Sequence, residues 1–290
     1  MNTPRLSWRV VLLHAALRLA GRLPLSWLHA LGAFVGRMLW IGHGRARRIT
    51  ERNLSLVVTQ ESAETRHRLG RATMAETGKA LLEIAKIWGN RPDRSLALIR
   101  DVRGVDLFDA ALASGRGLIV AAPHLGCWEL LNYWLASRTP LAILYRAPRN
   151  ALIEPLLLKV RGAMPVEQVR AEGAGVRTLY KRLAAGGVVG ILPDQRPRGG
   201  EGVMAPFFGV PASTMVLLPR LAQRTGATVL FSFVERLPNG AGYRLHFLPA
   251  LDAIAQVDID AACSALNRGV EACVQLAFTQ YQWNYKRFPN

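Results

Sequence analysis

Leu118-Ile-Val-Ala-Ala-Pro-His-Leu-Gly-Cys-Trp-Glu-Leu-Leu131 is the stretch from which the rest of the chain can be read. Its apolar opening, Leu118–Ala122, contains two β-branched residues, Ile119 and Val120, and predicts a buried strand. Pro123 has no N–H for a sheet ladder and ends that strand. A helical pattern then runs over Gly126–Ser137. The order is strand, turn, helix. His124 falls in the turn at the strand's carboxyl end, where α/β sheets place their ligands.

The same rhythm extends on both sides. Apolar, β-branched runs at Leu141–Tyr145, Val188–Leu192, Thr228–Val234 and Tyr243–Leu248 predict further strands. Between and after them, Ala151–Val160, Val176–Ala185, Met215–Thr225 and Ile259–Gln280 read as helices. Gly115-Arg-Gly117 and Gly186-Gly187 are turns entering strands. Strands alternating with helices predict an α/β domain over 93–290, its mostly parallel central sheet flanked by helices. Before Pro92 the pattern is helical: Leu69, Thr73, Ala80, Leu81, Ile84, Ile87 and Trp88 recur near helical spacing within 60–90. Segment 45–92 is expected to pack on that core.

Composition bounds the function. Half of the 290 residues are hydrophobic and mean hydropathy is +0.14, which excludes a disordered chain. Three scattered cysteines, Cys127, Cys263 and Cys273, exclude a disulfide framework and a structural zinc site, and fit a reducing compartment. Lys and Arg number 37 against 20 Asp and Glu, a net charge of +17. That excess points to an anionic partner: nucleic acid, an acidic membrane surface or a phosphorylated substrate. No phosphate-binding P-loop, dinucleotide fingerprint, nucleophile elbow or H-E-x-x-H is present. No metal and no cofactor are expected.

Residues 1–60 hold nine arginines and one acid, Glu51. Apolar runs lie between them, and the longest without charge, Leu23–Gly36, has 14 residues. A spanning helix wants about 18 or more. Arg18 and Arg22 stand where a signal peptide would need small neutral residues. Arg5 and Arg9 fall on one side of a helix and Arg18 and Arg22 on roughly the other, so the arginines bracket the apolar stretch. Their stems would reach lipid headgroups from both ends. Segment 1–44 is therefore read as a basic, apolar, helical membrane anchor, with a buried hairpin as the plainer alternative.

The chemistry-bearing residues cluster at predicted strand ends. Glu129 follows His124 by five residues, about 140° around an ideal helix. With His124 outside the helix and Glu129 in its first turn, the carboxylate is expected to fold back and orient the imidazole. The other ring nitrogen would then be a base for a substrate hydroxyl. A structural histidine and a glutamate complementing the helix dipole are the plainer readings. Arg146, Arg149 and Asn150 follow one strand, and their forked donors suit a phosphate. Asp194 and Gln195 follow another, with Arg196 and Arg198 in the loop leading through Gly199-Gly-Glu-Gly202. Phe207 and Phe208, before an expected helix cap at Ser213 and Thr214, suit either core packing or the wall of an acyl channel. Trp283, Tyr285, Lys286 and Arg287 interleave aromatic and basic residues, a pattern that suits stacked nucleobases or a membrane interface.

The stretch at His124 resembles the H-x-x-x-x-[DE] signature of glycerolipid acyltransferases, and more specifically the H-x-G-x-W-E form in the bacterial lipid A biosynthesis acyltransferases of the late, lauroyl/myristoyl type. Tyr145-Arg-Ala-Pro-Arg-Asn150, Ile191-Leu-Pro-Asp-Gln195, Ala205-Pro-Phe-Phe-Gly-Val-Pro-Ala212 and Gln282-Trp-Asn-Tyr-Lys-Arg-Phe288 agree in order and spacing, as does Arg52-Asn-Leu54. Cys127 departs from the family's usual Asn, and Pro123 from a frequent Asn or Thr. The resemblance implies transfer of a fatty acyl chain from acyl carrier protein, or coenzyme A, to a hydroxyl of a lipid A precursor in lipopolysaccharide biosynthesis. It implies His124 and Glu129 as the catalytic pair and arginines on the acceptor's phosphate. Backbone amides near Gly126 would stabilise the oxyanion. The partners implied are the carrier protein, an anionic phosphorylated lipid and inner-membrane lipid at the cytoplasmic face, with no nucleic acid. Another lipid or glycolipid acceptor is the alternative within this chemistry, and a nucleic-acid-binding protein the alternative outside it.

Overall fold

The computed structural model describes residues 8–148, 153–171, 173–197 and 200–289; Arg149, Asn150, Arg198 and the start of the helix expected at Ala151 lie outside them. Four helices come first: α1 (Trp8–Ala20), α2 (Leu25–Ile41), α3 (Arg45–Val57) and α4 (Ala63–Gly89). The alternating part follows as α5 (Pro92–Leu96), β1 (Ile99–Arg103), α6 (Val105–Ala113), β2 (Leu118–Ala121), α7 (Trp128–Arg138), β3 (Leu141–Tyr145), α8 (Ile153–Arg161), β4 (Val166–Arg170), α9 (Gly173–Ala184) and β5 (Val188–Ile191). The chain closes with β6 (Gly202–Phe207), β7 (Val210–Met215), α10 (Leu217–Thr225), β8 (Thr228–Arg236), β9 (Tyr243–Pro249) and α11 (Ile259–Leu276).

Seven strands form one sheet in the order β1-β9-β8-β2-β5-β3-β4, and only β8 and β9 pair antiparallel. The α/β class and mostly parallel sheet are as the sequence predicts. Central β2 and β5 are buried along their whole lengths, so they read as continuous apolar runs. The outer strands β1 and β4 are short, charged and half exposed, which is why the hydrophobic pattern does not reveal them. β6 and β7 form a separate hairpin, and Ser213 and Thr214 lie in its second strand rather than capping a helix; Val216 precedes α10 instead.

Sequence chemistry explains the long helix. Ser62 caps α4 by accepting the Thr65 N–H at 3.1 Å. α2 lies on α4 through glycines: a Cβ on Gly78 would stand 1.9 Å from the Gly32 carbonyl oxygen, and one on Gly36 1.9 Å from that of Met74. Arg236, at the end of β8, then joins this helical layer to the sheet. Its guanidinium donates to both oxygens of Glu83 on α4 at 2.6 and 2.8 Å, and to the Gly126 carbonyl at 2.7 Å. Tyr243 and His29 complete the shell around Glu83 at 3.0 and 3.3 Å. Burial pushes the Glu83 carboxyl up, but Arg236 and His29 outweigh it and bring it down to about 2.

The aromatic and basic carboxyl end corrects the surface reading of that segment. Trp283, Arg287 and Phe288 are buried, with the Arg287 guanidinium stacked 5.3 Å from the Phe207 ring and donating to Thr214 and Asn267 at 3.1 Å each. Asn53 on α3 clamps the same segment by donating to the carbonyls of Trp283 and Tyr285 at 2.8 and 2.7 Å. These side chains hold the carboxyl end against the core and present no stacking surface.

No helix among the described residues is long and apolar enough to cross a membrane. The outer face of α2 is nevertheless apolar. Trp27, Leu31, Phe34, Met38 and Ile41 recur at helical spacing and are exposed, Trp27 by 67%. Trp8, Leu12 and Leu19 on α1 are exposed as well.

Candidate active site

β2 and β5 run parallel with Ala121 beside Ile191, so the chains leaving them carry His124 and Asp194 out side by side. The two side chains meet. His124 Nδ1 lies 2.8 Å from Asp194 Oδ1, and the His124 backbone N–H donates to Oδ2 at 2.9 Å. Burial pushes the Asp194 carboxyl up; the imidazole and both hydrogen bonds outweigh it and leave the group below its ordinary range. Both Asp194 oxygens face N–H groups of His124, so in the neutral ring Nδ1 is the donor and the lone pair is on Nε2. Gln195 stands on that side, its Nε2 3.2 Å from His124 Nε2 and 3.2 Å from Gln282 Oε1. The edge of Trp128 packs on the imidazole, with ring centroids 5.3 Å apart.

The orienting bond expected of Glu129 is made by Asp194. Glu129 opens the first turn of α7 facing α8, and its carboxylate is gripped by Arg161 through both Nε (3.1 Å) and a terminal nitrogen; the Trp88 indole donates to it at 3.3 Å. The five-residue offset carries it away from the imidazole, while Asp194 arrives from the neighbouring strand.

Gly126 also departs from expectation. Its φ of +62° and the Val234 carbonyl, 1.9 Å from where a Cβ would stand, demand glycine. Its N–H is spent on the Gln280 carbonyl at 3.3 Å, and those of Leu125 and Cys127 on Pro123 and Val234 at 2.7 and 2.8 Å. The N–H groups of these three turn residues are therefore all engaged. Cys127 is buried, and burial first, then the Glu83 charge, pushes its thiol well above the usual range, so it is no ready nucleophile.

His124 opens onto a cleft of about 830 Å³. Arg146, Gln195 and Arg196 line it, as the strand-end reading anticipates, with the Arg196 N–H held by the Tyr285 hydroxyl at 3.0 Å. Phe207 and Phe208 do not: both pack against the carboxyl-terminal aromatics, with Phe208 at the hairpin turn. The apolar wall is built instead from Ile143, Leu144, Leu157, Val176, Tyr180, Leu192 and Met215–Leu217. Three arginines missed in the sequence also line it: Arg161, one residue past a predicted helix, and Arg220 and Arg224, one turn apart on α10. For Arg220 and Arg224 the available signal was two cations at helical spacing with no acid in the same helix. Among the described lining residues, these five arginines face one carboxylate, Glu201. No three His, Cys, Asp or Glu side chains among the described residues converge as metal ligands.

A basic, half-apolar cleft with an aspartate-held imidazole at its mouth can accept an amphipathic anion and take a proton from a hydroxyl. Comparison with known proteins agrees in kind. The family described as bacterial lipid A biosynthesis acyltransferase matches residues 3–290. The chain is similar to the lipid A biosynthesis lauroyltransferase of Escherichia coli (strain K12), 27% identical over 97% of this chain and 91% of the relative. It is 29% identical to that organism's lipid A biosynthesis palmitoleoyltransferase, over 92% of this chain and 86% of the relative. A phosphatidylinositol mannoside acyltransferase of Mycobacterium tuberculosis (strain CDC 1551 / Oshkosh) is 29% identical over 80% of this chain and 73% of its own length.

Proposed function

The chain belongs to the bacterial lipid A biosynthesis acyltransferase family and is an acyltransferase acting on a lipid acceptor, and from that premise we propose that it moves a fatty acyl chain from a thioester to a hydroxyl of a phosphorylated lipid A precursor. The observation that carries this reading is the His124–Asp194 pair at the mouth of an arginine-lined cleft. His124 Nε2 takes the hydroxyl proton as the oxygen attacks the thioester carbonyl. The imidazolium, steadied by Asp194, returns that proton to the departing thiolate. Arg146, Arg161 and Arg196 hold the acceptor's phosphate, with Glu129 fixing the fork of Arg161. Acyl carrier protein is the proposed donor, and this chain's net charge of +17 suits an anionic partner.

The protein is proposed to work from the cytoplasmic face of the inner membrane. The exposed apolar faces of α1 and α2 enter the lipid, and Arg9, Arg18 and Arg22 meet the headgroups. The test uses under-acylated glycolipid extracted from cells lacking the protein. Purified protein is given that acceptor with dodecanoyl-carrier protein or dodecanoyl-coenzyme A. Acylation of the extracted lipid from the carrier protein is expected. Transfer from coenzyme A alone would replace the donor. Acylation only of a different membrane lipid, as the mannoside-acylating relative's name raises, would replace the acceptor.

A further inference from the structure

Acyl transfer passes through a tetrahedral intermediate whose oxygen carries a full negative charge, and a site must present donors where that charge develops. In the turn beside His124 the N–H groups of Leu125, Gly126 and Cys127 are all bonded to carbonyls. One neutral side-chain donor is in contact with the reacting nitrogen. Gln195 lines the cleft, and its side-chain nitrogen lies 3.2 Å from His124 Nε2.

The identity of that atom follows from its surroundings. Asp194 fixes the ring proton on Nδ1, leaving a lone pair on Nε2, and the second neighbour is the Gln282 side-chain oxygen at 3.2 Å. Two acceptors face this end of the carboxamide, so the NH2 group stands there and spends one hydrogen on each. Gln282 is fixed in turn, since its backbone N–H donates to the His124 carbonyl at 3.1 Å. The amide is thus tied to the same turn as the base.

We propose that Gln195 is the oxyanion donor of the transfer and that it caps the lone pair of His124 until the acceptor arrives. The inference rests on the reading of His124 as general base. An acceptor hydroxyl that binds Nε2 displaces one hydrogen of the amide and leaves it beside the new oxygen. As that oxygen bonds to the thioester carbon, its proton passes to Nε2 and the carbonyl π pair moves onto the carbonyl oxygen, one atom away from the nucleophile. The freed Gln195 N–H donates to this oxyanion, while the other hydrogen stays on Gln282. Collapse restores the carbonyl and breaks the carbon–sulfur bond, and the thiolate takes the proton back from the imidazolium. The donor is therefore bonded to the base in the ground state and to the charge only in the transition state, the condition under which an interaction raises kcat.

Transfer from dodecanoyl-carrier protein to the extracted, under-acylated glycolipid is measured for wild type, His124→Ala, Gln195→Ala and Gln195→Glu, with melting temperatures and the 15N resonance of His124 Nε2. Gln195→Ala is expected to lose about 10²–10³-fold in kcat with little change in KM, and its Nε2 resonance is expected to shift toward that of an uncapped ring. Gln195→Glu, of the same size and able to accept from a rotated Gln282 carboxamide, is expected to melt like wild type and to be slower than Gln195→Ala, because it sets an anion against an anion. Wild-type kcat in Gln195→Ala beside a dead His124→Ala overturns the oxyanion role and leaves the base standing. Wild-type kcat in both overturns the base as well. A loss confined to KM, or a Gln195→Glu faster than Gln195→Ala, also contradicts the proposal.

Discussion

Both oxygens of Asp194 are committed to His124, one to the ring and one to the main chain. Replacing the carboxylate with an amide keeps the shape but offers an N–H where Nδ1 also donates, which favours the wrong tautomer. Asp194→Asn is therefore expected to lower kcat by about 10²–10⁴-fold with KM and melting temperature close to wild type; an unchanged kcat would remove Asp194 from the mechanism. Arg161 acts on a different quantity. Its planar fork is held by Glu129 in the cleft wall, and an ammonium cannot reproduce it. Arg161→Lys is expected to raise KM for the phosphorylated acceptor by about tenfold or more, the scale of one charged hydrogen bond, and to discriminate less against a dephosphorylated one. Equal discrimination by both proteins would make Arg161 a structural partner of Glu129 only. His124 is legible in the sequence because a strand end and a turn are local features. Its partner is not: Asp194 is 70 residues away, and the parallel register of β2 and β5 alone brings them together. Glu129 is nearer in sequence and points elsewhere.

At the scale of elements, the central strands announce themselves because burial on both faces leaves no room for polar residues. β1 and β4 stay hidden because edge strands carry charges that break the pattern. The helices of the amino terminus are legible as apolar stretches between arginines, but which side faces outward is fixed by glycine contacts with α4 that no periodicity reports. The exposed stripe on α2 makes a specific claim. Trp27→Glu with Phe34→Glu touches two exposed side chains, so the fold is expected to stay intact. Each apolar side chain withdrawn from lipid forfeits roughly 1.5–3 kcal/mol, so co-sedimentation with anionic vesicles is expected to fall at least about tenfold. Undiminished binding of the folded double variant would place the membrane contact elsewhere.

The whole molecule is joined by a few buried polar groups. Glu83 on α4 and Arg236 on β8 tie the helical layer to the sheet, and Arg236 also holds the Gly126 carbonyl of the turn that carries His124. Glu83 titrates at about 2 in the fold against an ordinary 4.5. A depressed carboxylate contributes stability that is complete above its unfolded value and is lost as pH falls through the folded one. Acid unfolding is expected to draw on this pair between pH 4.5 and about 2, and Glu83→Gln to remove that part of the pH dependence. The same change removes the two-oxygen carboxylate partner of the buried Arg236 guanidinium, leaving it Glu76 at 3.5 Å and the Gly126 carbonyl, a loss of roughly 1.5–3 kcal/mol measurable by denaturant titration at neutral pH. An unaltered acid transition in Glu83→Gln would show that the layers are held otherwise.

This fold is proposed to transfer an acyl chain to a lipid A precursor through His124. Mass spectrometry of lipid A from cells lacking the protein, complemented with wild type or with His124→Ala, tests it directly. Lipid A lighter by one fatty acyl chain is predicted in the deletion and in the His124→Ala cells, with full mass restored by wild type. Full restoration by His124→Ala, or lipid A of unchanged mass in the deletion, would contradict the account.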